Sequence, residues 1–149
     1  WRPSSVVVAA PLLVAWTAAP FVDDVEFLAA LEAARLPPAL FDHRGHLRAA
    51  FLYLRREDFP GACVAMKRAI QRFAASLGKT GLYHETLTIA YLALVAERLA
   101  DEPANVGFDA FIGRYPELLD RTYFERYYPR GSLDAPEARR TFVLPRPRD

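Results

Sequence analysis

The chain has 149 residues, 52% of them hydrophobic and 25% charged. That length and apolar content fit one globular domain with a sizeable core and exclude disorder for most of it. Nineteen Lys and Arg against eighteen Asp and Glu leave a formal charge of +1, so no global basic field exists and neither nucleic acid nor a membrane is expected as a partner. The one cysteine, Cys63, cannot form an intramolecular disulfide, and no paired-cysteine zinc motif occurs, which fits a cytoplasmic protein.

Residues 1–20 read as an apolar arm. The run Val6 to Trp16, followed by Thr17-Ala18-Ala19-Pro20, has the look of a signal-peptide core. Against this, Pro11 interrupts it, Arg2 is the sole cation ahead of it, and it falls far short of the roughly 20 residues a membrane-spanning helix needs. The expectation is a strand-like or irregular arm packed on the domain, with a cleaved signal or an upstream remnant as the rival reading.

From residue 21 to 149 the pattern is that of a single helical domain. Asp23 or Asp24 caps a helix carrying Val25, Leu28, Ala29 and Leu31 to about Arg35, and Leu36-Pro37-Pro38 stops it. Asp42 caps a second helix to about Arg55, whose apolar positions Leu47, Ala50, Phe51 and Leu54 share a face with His43 and His46. A third starts near Asp58, with Pro60 in its first turn, and runs to Leu77 before Gly78. Within it Cys63, Met66, Ile70, Phe73 and Leu77 recur at helical spacing, which reads as a core stripe containing a small buried thiol.

After a short loop at Lys79 to Leu82, a fourth helix begins around Tyr83 and continues to Leu99. It is apolar nearly all round, so it should be central, with His84 and Glu85 at its head partly buried. Shorter helices are expected at Phe108 to Gly113, Pro116 to Asp120, Thr122 to Tyr128 and Pro136 to Arg140. The tail from Leu144 holds Pro145 and Pro147 and should be an exposed extended strap. The fold expected is all-α, a helical bundle of about four main helices with a short helical C-terminal cap and an extended tail.

All three histidines fall in two short signatures at helix starts, Phe41-Asp42-His43-Arg44-Gly45-His46-Leu47 and Tyr83-His84-Glu85-Thr86-Leu87-Thr88. An i, i+3 histidine pair can place two ring nitrogens on one ion, so His43, His46 and His84 are candidate ligands of a divalent transition metal. Glu85 is a candidate fourth ligand or a catalytic base on metal-bound water, and Tyr83 a hydrogen-bond donor at the mouth. Nitrogen and oxygen donors of this kind suit zinc, iron, copper or nickel alike. Neighbouring helical residues diverge by about 100°, so His84 and Glu85 can share an ion only if the first turn departs from ideal geometry.

The competing reading makes the histidines hydrogen-bonded core or capping residues of a non-catalytic interaction module, and a third is metal-free acid–base catalysis. Thr86 is expected to satisfy free N–H groups of its own first turn, and Thr88 either that or the orientation of His84. The aromatic run Tyr115, Tyr123, Phe124, Tyr127 and Tyr128 reads as a cap over the core rather than a nucleotide platform. No Gly-rich phosphate loop, nucleophile elbow or His-Glu-x-x-His motif is present. The leading expectation is a metal-dependent enzyme acting on a small molecule.

Together, the aromatic-x-His-x-x-His-Leu motif at Phe41 to Leu47 and the Tyr-His-Glu-Thr-x-Thr motif at Tyr83 to Thr88 resemble a family of small bacterial all-helical proteins of uncharacterised function. The likeness extends to Tyr127-Tyr128 through Leu133, to Ala138-Arg139-Arg140 and to Phe142 to Pro145. It implies that these residues form a shared site and carries no activity with it.

Overall fold

A computed structural model describes residues 23–146; the apolar arm at 1–20 and the last three residues of the tail lie outside the described residues. Among the described residues the structure is all-helical, with no strand. The main elements are α1 (Asp24–Glu32), α2 (His43–Arg56), α3 (Phe59–Ser76) and α4 (Glu85–Leu99), followed by the short α5 (Phe108–Arg114) and α6 (Pro136–Arg140). None is long and apolar enough to cross a membrane.

Three of the four main helix starts follow one chemistry. Asp23, Asp42 and Asp58 each accept a hydrogen bond from the backbone N–H three residues on, at 2.8–2.9 Å, and so occupy one of the donors a helix start leaves free. At α4 the capping residue is His84, whose Nδ1 accepts from Leu87 N–H at 3.2 Å, so the helix begins at Glu85 rather than Tyr83.

Two helices end in the same six-to-one turn. After α3, Gly78 takes φ +68° while Lys79 N–H reaches Ala74 O at 2.8 Å. After α1, Ala34 occupies the equivalent position at φ +54° while Arg35 N–H reaches Ala30 O at 2.8 Å. A left-handed alanine costs about 1 kcal/mol, and no glycine marks the spot. For that reason α1 closes three residues before the expected Arg35, and the turn delivers Leu36 into the core.

α2, α3 and α4 pack on one another, and α1 lies against α3 and α2. Phe27 and Leu31 of α1, Leu47, Phe51 and Tyr53 of α2, Met66 and Phe73 of α3, and Leu92 and Val95 of α4 are buried in one continuous core. Each such side chain removed from water contributes on the order of 1.5–3 kcal/mol. Within the thiol stripe Met66 and Phe73 are buried, Cys63 and Ile70 half-buried and Leu77 exposed. Burial and the nearby Glu85 push the Cys63 thiol up, the opposite of a reactive cysteine.

The C-terminal third closes over one side of this core. Phe108 and Phe111 of α5 pack against Phe51 at centroid distances of 5.7 and 5.1 Å. Short 3-10 turns at Pro116–Leu119 and Arg121–Arg126 carry the chain back across α4. Arg98 ties them down, its Nε donating to Glu117 at 2.9 Å and a terminal nitrogen to the Tyr123 hydroxyl at 2.8 Å.

The strap beyond α6 is extended, as expected, and it is fastened. Thr86, fully buried, donates its hydroxyl hydrogen to Thr141 O at 2.9 Å and accepts from Val143 N–H at 3.1 Å. The Tyr128 hydroxyl donates to Val143 O at 2.8 Å. Thr86 therefore serves the strap and not its own helix turn, a pairing that sequence-local reasoning cannot reach. Thr88 donates to the His84 carbonyl at 2.8 Å, a contact within its own helix start that leaves the imidazole to other partners.

Candidate functional site

A cavity of about 550 Å³ opens between the first turns of α2, the middle of α3 and α4, and the segment 121–134. That size is typical of pockets for small organic molecules. Its floor is apolar, with Leu47, Ala50, Met66, Ile70, Leu87 and Leu92. All three histidines line it, together with Asp42, Tyr91, Arg121, Phe124, Tyr128 and the loop from Arg130 to Asp134.

The geometry of the first signature explains its composition. Asp42 caps α2, so the imidazoles of the first turn are not needed for capping. Gly45 lies between the two histidines because the preceding turn, Pro38–Leu40, presses on α2; a Cβ there would collide with the Leu40 carbonyl oxygen. His43 donates from Nε2 to Leu118 O at 2.8 Å, and His46 donates from Nδ1 to Asp42 O at 2.7 Å. A carbonyl only accepts, so each contact fixes which ring nitrogen carries the hydrogen. The remaining nitrogens, Nδ1 of His43 and Nε2 of His46, have no partner among the described residues.

Aromatic packing holds both rings. His46 stacks on Phe41 at 3.9 Å, and Phe41 meets Phe73 edge-on at 4.9 Å. His43 packs edge-on against Tyr91 at 5.3 Å, Tyr91 stacks on Phe124 at 4.5 Å, and Phe124 on Tyr128 at 5.0 Å. Burial lowers the His46 pKa below the usual 6.5; its bond to Asp42 O works the other way, and the charges of His43 and Arg121 add to the lowering. His46 is therefore a neutral base near pH 7. Burial also raises the Tyr91 hydroxyl, keeping it a protonated donor, and that hydroxyl has no partner among the described residues.

His84 lines the same cavity in a different chemical state. Its Nδ1 accepts from Leu87 N–H and its Nε2 donates to Leu133 O at 3.0 Å, so both nitrogens are consumed and the ring is 7% exposed. It joins the head of α4 to the loop that rims the cavity. Tyr83 and Glu85 do not line the cavity. Glu85 accepts from the Tyr83 hydroxyl at 2.6 Å and from Lys67 Nζ at 3.0 Å. Burial would raise that carboxyl, but the Tyr83 hydrogen bond and the Lys67 pair hold it below the ordinary range.

The expected ligand set of His43, His46, His84 and Glu85 is thus not assembled. Hydrogen bonds occupy both nitrogens of His84, and Glu85 turns toward α3. No group of three or more His, Cys, Asp or Glu among the described residues is placed to hold a metal ion. What the structure brings together instead is His43 and His46 with Tyr91 and Arg121.

Tyr91 was within reach of sequence reasoning, since His84, Thr88 and Tyr91 repeat at helical spacing on one face. Arg121 carries no such signal; it reaches the cavity on the 3-10 turn Arg121–Arg126, which Arg98 holds through the Tyr123 hydroxyl. Phe124 and Tyr128 are buried and cap the core as expected, and they also form a cavity wall. Of the arginines, Arg130 pairs with Glu125 at 3.3 Å, Arg139 donates to Gly81 O at 3.2 Å, and Arg140 lies 3.7 Å from Glu137.

No protein-family model, curated protein or solved structure matches the chain.

Proposed function

We propose that this protein binds a small organic molecule in the cavity and carries out metal-free acid–base chemistry there, with His46 taking or giving the proton and His43 beside it. The observation that carries this reading is the state of the His46 ring: Nδ1–H is pinned to Asp42 O, Phe41 is stacked on its face, and Nε2 has no partner among the described residues, on a residue that lines the cavity. A general base needs that combination of fixed orientation, a basic nitrogen free of internal bonds, and a neutral ring at working pH. The helices α1–α4, read as a four-helix bundle with the C-terminal segment as its cap, supply the rigid support such a site requires.

Carbethoxylation by diethylpyrocarbonate, followed by peptide mass spectrometry, tests the assignment without knowledge of the substrate. The reagent attacks an unprotonated, accessible imidazole nitrogen. His46 and His43 are expected to react well before His84. Modification of His84 first, or no difference among the three, would overturn the assignment.

A further inference from the structure

The charges around the cavity are not evenly satisfied. Two arginines line it, and Arg130 is paired with Glu125. Arg121 is exposed and makes no hydrogen bond or ion pair among the described residues. Its charge is felt by both His46 and Tyr91, so the guanidinium lies near these two cavity residues. Neighbouring acidic groups have partners of their own: Asp42 accepts from Gly45 N–H, Asp120 accepts from the backbone and the hydroxyl of Thr122, and Glu125 pairs with Arg130. Asp134 lies on the loop at His84, beside Gly131. Met66 and Ile70 of α3 and Leu87 and Leu92 of α4 give the cavity an apolar lining besides these groups.

From this polarity, and resting on the small-molecule reading above, we infer that the ligand is an organic carboxylate with an apolar body: the carboxylate lies against Arg121 within reach of the Tyr91 hydroxyl, and the body fills the space between Met66, Ile70 and Leu92. A guanidinium offers a planar fork that matches a carboxylate, and one cavity cation unpaired among the described residues balances one negative charge better than the two of a phosphate monoester. The His46 imidazole, kept neutral by its burial, adds no second charge beside the head group. The apolar floor has nothing to offer a ligand that is polar along its whole length.

A matched pair of probes tests this, 2-naphthylacetate and 2-naphthaleneethanol, which share a body and differ in the charge of the head. Binding is followed by calorimetry and by shifts of the His43 and His46 ring resonances, in the native chain and in Arg121→Gln. The carboxylate should bind the native protein about tenfold or more tightly than the alcohol, the range of a charge-assisted hydrogen bond. Arg121→Gln should bring the carboxylate down to the affinity of the alcohol, leave the alcohol unchanged, and leave the melting temperature unchanged because Arg121 makes no hydrogen bond or ion pair among the described residues. Equal binding of both probes to the native protein would overturn the carboxylate inference while the cavity assignment stands. Carboxylate preference that survives Arg121→Gln would also overturn it. Failure of both probes to bind would overturn the inference together with the reading on which it rests.

Discussion

The two histidine signatures look alike as text, an aromatic residue and histidines at the start of a helix, yet they perform opposite tasks. At α2 an aspartate caps the helix and a glycine lets the preceding turn close in, so His43 and His46 each spend one nitrogen on a backbone carbonyl and keep the other. At α4 the histidine is itself the cap, and its second nitrogen is spent on Leu133 O. Whether an imidazole is available for chemistry depends on who satisfies the free N–H groups beside it. The same difference separates the carboxylates: Asp42 faces the cavity from the cap position, whereas Glu85 is turned outward to Tyr83 and Lys67.

The largest test of this contrast is His84→Ala. The substitution leaves Leu87 N–H and Leu133 O without partners in a buried site, and a lost cap together with a lost buried hydrogen bond should cost about 2–4 kcal/mol in chemical denaturation. His84→Asn, which keeps a capping oxygen, should recover part of that loss. If His84→Ala proved as stable as the native chain, the imidazole would not be the structural pin described here.

Gly45→Ala attacks the other signature without touching an imidazole. A methyl group driven against the Leu40 carbonyl should cost about 1–3 kcal/mol, and the displaced first turn should weaken the binding of any cavity ligand. A neutral result in thermal melts would mean that the turn at Pro38–Leu40 yields freely.

The pH dependence of stability gives a gentler probe. The His46 pKa is lowered by folding, mainly through burial, so at low pH the unfolded chain binds the proton more readily than the native one. Stability attributable to this group is therefore full above the unfolded value of 6.5 and is lost as pH falls from there through the lower folded value. Asp42, His43 and Arg121 are the charged or titratable groups acting on it. The melting-temperature difference between the native chain and His46→Gln should be flat above about pH 7.5 and should shift in favour of the variant below pH 6. A difference independent of pH would remove the buried neutral base from the account.

Glu85→Gln should have the smallest effect. Lys67 is 43% exposed, so screening discounts the pair, and the loss should stay within about 1 kcal/mol, with no change in ligand binding at the cavity. A large loss of binding would join the two clusters that the structure keeps apart.

Much of this architecture is local and was legible in the sequence. Asp23, Asp42 and Asp58 announce three helix starts, Gly78 announces one stop, and the apolar spacing of Leu47, Ala50 and Phe51 identifies the buried face of α2. The left-handed turn at Ala34 is not announced, because alanine is the residue least suited to it. The site was half legible. The three histidines do share one cavity, but the states of His43 and His84 depend on Leu118 O and Leu133 O, backbone atoms brought from 75 and 49 residues away. Residue identity cannot signal such a contact, since every residue carries a carbonyl. Arg121 and the Thr86 clasp on the strap escaped for the same reason.

The most direct measurement of the central claim is long-range nitrogen–proton correlation spectroscopy of the three imidazoles, with and without 2-naphthylacetate. A hydrogen is expected on Nε2 of His43 and His84 and on Nδ1 of His46, with ligand-induced shifts at His43 and His46 and none of comparable size at His84. A hydrogen on Nδ1 of His84, or a response led by His84, would contradict the division between the open signature and the spent one.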